Sequence, residues 1–132
     1  MPQEFWVNLP VKDIERSKNF FIQLGFTFGS SPGNTPTSAP LLIGSKNTMV
    51  MLFEESTFKG FVKRDIMNTE KYCEVLLSFD VSTKEEVDEI ALKVIDAGGS
   101  TEHHPYKMEG YMYGCVFSDP DGHKWNVLYV KK

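Results

Sequence analysis

One feature constrains the fold more than any other: a strand, a helix stopped by glycine and three further strands occur in that order twice within 132 residues. In the first half Val7, Leu9 and Val11 alternate as in a half-buried strand. Asp13 can cap the helix that follows, because its carboxylate accepts from free backbone N–H groups. Ser17, Phe20, Phe21 and Leu24 make one stripe of that helix, and Gly25 is its stop. Phe26-Thr27-Phe28 reads as a short strand, and residues 29–40, rich in Gly, Ser and Pro, as loop. Residues 41–43 and 48–53 form a hairpin around residues 44–47. A strand over 74–80 opens the second half. Ser82 with Glu85 and Thr83 with Glu86 both have capping-box spacing. Val87, Ile90, Ala91, Val94 and Ala97 give the helix its apolar face, and Gly98-Gly99 ends it. Strands near 100–105, over 111–118 and over 124–130 follow, the last two joined by the Asp119-Pro120-Asp121-Gly122 turn.

Val7, Leu9 and Val11 align with Val75, Leu77 and Phe79 at an offset of 68, whereas Leu24-Gly25 and Ala97-Gly98 lie 73 apart. About five residues would separate the two registers. The expected division is a first module over 1–55, a connection over 56–71 with one helical turn near 57–61, and a second module over 72–132. The competing reading of the same residues is a generic α+β domain.

Several classes of function fall away. No apolar run reaches the roughly 18 residues of a membrane span, and no basic-then-apolar leader opens the chain, so a cytoplasmic protein is expected. Fourteen Lys and Arg against eighteen Asp and Glu give a net charge of −4 with no concentrated basic face, which argues against nucleic acid. Cys73 and Cys115 both sit in apolar stretches without CxxC spacing and read as small core residues in a reducing compartment. No Gly-rich phosphate loop and no Ser or Cys nucleophile with a His/Asp arrangement is present.

Two stretches, Val7-Asn8-Leu9-Pro10-Val11-Lys12-Asp13 through Phe20-Phe21 with Leu24-Gly25-Phe26, and Tyr113-Gly114-Cys115-Val116-Phe117-Ser118-Asp119-Pro120-Asp121-Gly122-His123-Lys124-Trp125-Asn126, resemble the vicinal oxygen chelate superfamily. That group includes glyoxalase I, extradiol dioxygenases, and bleomycin- and fosfomycin-resistance proteins; the chain looks most similar to its bacterial predicted lactoylglutathione lyase branch. The resemblance implies an α+β fold of two βαβββ modules whose strands form a curved mixed sheet around a small-molecule cleft. It also implies a homodimer. In metalloenzymes of the group one divalent ion sits in the cleft, polarises the substrate oxygens, and works with a carboxylate that moves the proton.

Position by position, the expected ligands are mostly missing. The first-strand His of the family, seven residues before the capping Asp, falls on Trp6, whose indole nitrogen only donates. Asn8 shares its face and could orient a substrate oxygen. The second-half equivalent, six residues before Asp80, is Glu74, either a ligand or base, or a solvent-facing strand residue. The position four residues after the turn glycine is Asn126, an amide in place of the usual Glu. On the strand over 48–53, Met49 and Met51 offer thioethers, which suit soft metals. Glu74 is then the sole retained anionic candidate, and no metal or other cofactor is expected.

His103, His104 and His123 read as surface imidazoles. If Asn126 faces the cleft, alternation turns Trp125 toward the helix layer. Two functions stay open. One is a lyase- or isomerase-type enzyme with Glu74 as base or ligand and Asn8 and Asn126 orienting oxygens. The other is a metal-free binding protein of the bleomycin-resistance kind, using Trp6, Met51 and the two amides.

Overall fold

The computed structural model describes residues 1–131, which divide into two units, Met1–Met67 and the part from Asn68 on. Each is built as a βαβββ module, and each is described by itself.

In module 1, β1 (Val7–Val11) leads into α1 (Ile14–Gln23), then β2 (Thr27–Phe28), β3 (Ser38–Ile43) and β4 (Thr48–Glu54), followed by α2 (Glu55–Val62). The sheet order is β1-β4-β3-β2, with β1 parallel to β4 and the remaining pairs antiparallel. Asp13 caps α1 as expected, its Oδ1 accepting from the Arg16 N–H at 3.2 Å. Ile14, Ser17, Phe20, Phe21 and Leu24 are buried, and they meet Val11, Ala39, Leu41, Val50 and Leu52 of the sheet. Each fully buried Val, Leu, Ile or Phe side chain among them contributes on the order of 2 kcal/mol of hydrophobic stabilisation. The connection holds more helix than its mixed composition suggests: α2 makes two turns, and Phe61 packs edge-on to Phe53 with centroids 5.1 Å apart.

Module 2 repeats the order with β5 (Leu76–Val81), α3 (Lys84–Ala97), β6 (Ser100–Thr101), β7 (Tyr106–Met108), β8 (Met112–Ser118) and β9 (Lys124–Val130). Its sheet runs β5-β9-β8-β6, and β7 pairs with the other end of β8. The single strand expected near 100–105 is thus two short ones. His103 occupies the break between them: Nδ1 lies 2.8 Å from the His104 carbonyl oxygen, and Nε2 accepts from the Val116 N–H at 3.4 Å, an amide that neither β6 nor β7 reaches. Of the two cysteines, Cys115 is core, whereas Cys73 is exposed because it precedes β5 instead of lying on it.

The cap of α3 is Thr83, whose Oγ1 accepts from the Glu86 N–H at 3.1 Å. Both helices end alike. Gly25 and Gly98 take φ of 102° and 104°, where a side chain would be strained, and the next amide reaches back five residues in each case, Phe26 to Phe21 and Gly99 to Val94. Val87, Ile90, Ala91 and Val94 of α3 close over Cys115, Phe117, Trp125 and Val127. Trp125 faces the helix and is 2% exposed, as the alternation argument requires.

Candidate functional site

Directly beneath each helix the sheet is closed by core, so the opposite face offers the longer uncovered row of side chains. On sheet 1 that face carries Asn8, Met51 and Pro40 side by side, since Asn8 pairs with Met51 across β1–β4 and Met51 with Pro40 across β4–β3. Asn8 is exposed, whereas Met51 is only 9% exposed. A Cβ on Gly33 would stand 3.3 Å from Met51 Cε, so the 29–37 loop lies over this methionine. Ser38 Oγ donating to the Gly33 carbonyl and Lys18 Nζ donating to Asn34 Oδ1, both at 2.7 Å, hold that loop in place. Trp6 lies one residue before β1 and is half-exposed.

On sheet 2 the corresponding row is Ser78, Asn126 and Val116, paired across β5–β9 and β9–β8. Asn126 Oδ1 is buried and, among the described residues, has no hydrogen-bond partner. Every other buried side-chain oxygen or nitrogen of the described residues is satisfied, and leaving one acceptor unpaired costs about 1–3 kcal/mol. One row along, Lys124 Nζ donates to Ser118 Oγ at 2.7 Å and to the Gly122 carbonyl at 3.0 Å, with Glu102 Oε1 3.9 Å away. This ammonium is therefore used within its own module and does not reach Asn126.

Glu74 is not part of that row. β5 begins at Leu76, where pairing with Lys124 begins, and Glu74 is exposed two residues earlier. The strand also runs on to Val81, and Thr83 supplies the cap, so strand and cap repeat at an offset of 70 instead of 68. Counting seven residues back from the cap, as from Asp13 to Trp6, leads to Leu76 in module 2. These two equivalents have nearly the same exposure, 47% for Trp6 and 48% for Leu76. Asn8 and Met51 then correspond to Ser78 and Asn126. Ser78 is the residue that sequence reasoning missed. The signal for it lay in choosing Thr83 as the cap and counting from there.

The Asp-Pro-Asp-Gly turn is scaffold. Asp119 is 4% exposed; Oδ1 accepts from the Asp121 and His123 amides at 2.9 and 3.1 Å, and Oδ2 from the Trp125 indole at 3.1 Å. Burial raises its pKa, a net upward shift that His123 and the indole offset only in part. Thr69 Oγ1 donates to the Asp121 carbonyl at 2.6 Å and closes the outside of the turn.

The donor set tests whether a divalent ion suits these rows. Asn8 and Met51 on sheet 1 offer an amide and a thioether, and Ser78 and Asn126 on sheet 2 a hydroxyl and an amide; neither row holds an imidazole or a carboxylate. Catalytic sites for zinc and its neighbours are built from imidazole, thiolate and carboxylate. No group of three or more His, Cys, Asp or Glu able to hold a metal occurs among the described residues. The residues present do not fit the ion.

Known proteins agree with this architecture. Residues 3–35 match the family described as bleomycin resistance protein-like N-terminal. Hypothetical protein SA1046 from S. aureus is 36% identical over 98% of this chain and 95% of its own, with a TM-score of 0.87. A glyoxalase/bleomycin resistance protein/dioxygenase family enzyme from Burkholderia phytofirmans is 24% identical over 95% of this chain and 96% of its own, with a TM-score of 0.77. A glyoxalase-related enzyme from Fulvimarina pelagi shares the fold at 17% identity and a TM-score of 0.81, over 98% of this chain and 88% of its own. No curated protein is significantly similar in sequence. No described helix is long and apolar enough to cross a membrane. With the repeated βαβββ order and these solved structures in agreement, the chain is related to SA1046 and has the glyoxalase/bleomycin resistance/dioxygenase fold, its residues 3–35 matching the bleomycin resistance protein-like N-terminal family.

Proposed function

We propose that this protein binds a small molecule without a metal, in the manner of bleomycin-resistance proteins of the same fold, and that the row Ser78–Asn126 of module 2 contacts the ligand. The observation that carries this reading is the buried, unpartnered Oδ1 of Asn126. An acceptor held at a cost of about 1–3 kcal/mol calls for a donor that the chain does not supply. A ligand with an N–H or O–H group aimed at Asn126 supplies it, and the Ser78 hydroxyl next to it adds a second polar contact.

Lactoylglutathione lyase activity by the metal-assisted route needs Lewis-acid charge on a developing enolate and a carboxylate that moves the proton. Neither Ser78 nor Asn126 takes up a proton at neutral pH, and Glu74 stands outside the row. The same positions suit recognition, where neutral donors and acceptors suffice.

The test is a screen of small N–H- and O–H-bearing fragments by NMR, run in a metal chelator. The expected result is saturable shifts of the Asn126 side-chain amide and the Ser78 backbone amide, absent in Asn126→Leu. Binding that vanishes in the chelator, or that is unchanged in Asn126→Leu, overturns the reading.

A further inference from the structure

We propose that module 2 carries a second ligand site, for the phosphate group of a small anion, on the helix-bearing side of its sheet and away from Asn126. Lys107, Tyr113 and Tyr129 form one cross-strand row through β7, β8 and β9. With Lys84 from the start of α3, and Tyr111 and Lys131 at the strand ends, they line a hollow of about 100 Å³. Roughly 300 Å³ is where pockets for drug-sized ligands begin, so this one fits a single charged group.

Overall the protein is acidic, at −4, yet three lysines line this one hollow. Lys18, Lys59 and Lys124 each stand within 4.0 Å of a carboxylate. Lys84, Lys107 and Lys131 have no such partner among the described residues; Lys84 lies over the Tyr113 ring, 5.7 Å from its centroid. Two carboxylates bear on this wall: Asp88 accepts the Tyr113 hydroxyl at 2.6 Å, and Glu85 acts on the same phenol through its charge. The Tyr111 and Tyr129 hydroxyls have no internal acceptor among the described residues, so they remain to donate. Three cations and two phenol donors around a space of this size match a tetrahedral oxyanion.

Titration of the whole protein with inorganic phosphate and with glycerol phosphate, followed by amide NMR at constant ionic strength set with chloride, tests this. Saturable shifts at Lys107, Gly110, Met112 and Tyr113 are expected, and the tighter of the two anions identifies the source of the phosphate group. Removing two ammonium groups in Lys107→Gln/Lys131→Gln should weaken binding about tenfold. Asn126→Leu should bind phosphate like the parent, which separates this site from the small-molecule row. Shifts that grow linearly without saturation, that chloride reproduces, or that survive in the double variant overturn the proposal.

Discussion

The indole N–H of Trp125 donates to Oδ2 of Asp119 at 3.1 Å, and both side chains are almost completely buried. This bond joins the turn between β8 and β9 to the core under α3. It explains why the turn opens with Asp: one carboxylate satisfies two turn amides and one core indole at once. Asp119→Ala strands those donors, and a buried donor without a partner costs about 1–3 kcal/mol. Urea unfolding should show a loss of about 3 kcal/mol for this variant, whereas Asp121→Ala, which keeps the indole bond, should lose less than half as much.

Gly114 sits where a side chain has no room. A Cβ there would meet the Val127 carbonyl oxygen and Leu128 Cδ2, both at 2.6 Å, and the carbonyl cannot move without disturbing the β8–β9 ladder. Gly114→Ala should therefore destabilise the protein by about 2 kcal/mol, read as a lower urea midpoint. Gly110→Ala, with nothing within 4 Å of the added carbon, is the matched control and should be nearly neutral.

Much of this architecture could be read from local chemistry. The caps at Asp13 and Thr83, the glycine stops and the alternation in β1 and β9 involve residues within a few positions of one another. The start of β5 could not be read this way. Glu74, Val75, Leu76 and Leu77 look alike to a strand pattern, and only pairing with Lys124, far along the chain, sets Leu76 as the first member. That two-residue displacement put Glu74 in the place of Leu76 and hid Ser78. The role of His103 was equally invisible, because its acceptor nitrogen serves an amide thirteen residues away. The Asn126 orphan oxygen is a property of packing, and no spacing rule encodes it.

Tyr113 should titrate late. Its hydrogen bond to Asp88, with lesser help from desolvation and nearby negative charge, raises its pKa from 10.0 to about 12. The folded value lies above the unfolded one, so the stabilisation from this bond is fully present below pH 10 and is lost as the pH climbs through about 12. Phenolate absorbance of wild type against Tyr113→Phe isolates this residue, and Asp88→Asn should return its titration toward 10.0.

Asn126→Leu separates stability from function. Replacing an unpartnered buried amide by a side chain of similar size removes a desolvation penalty, so the variant should be as stable as the parent or up to about 1 kcal/mol more so. A loss of more than 1 kcal/mol in chemical denaturation would mean that the amide serves the fold.

The most direct test of metal-independent binding is metal content and hemithioacetal turnover, measured together on protein purified without chelators. Well under one divalent ion per chain and no turnover above buffer, with fragment binding retained, is the predicted result. One nickel or zinc per chain accompanied by turnover that a chelator abolishes would contradict it.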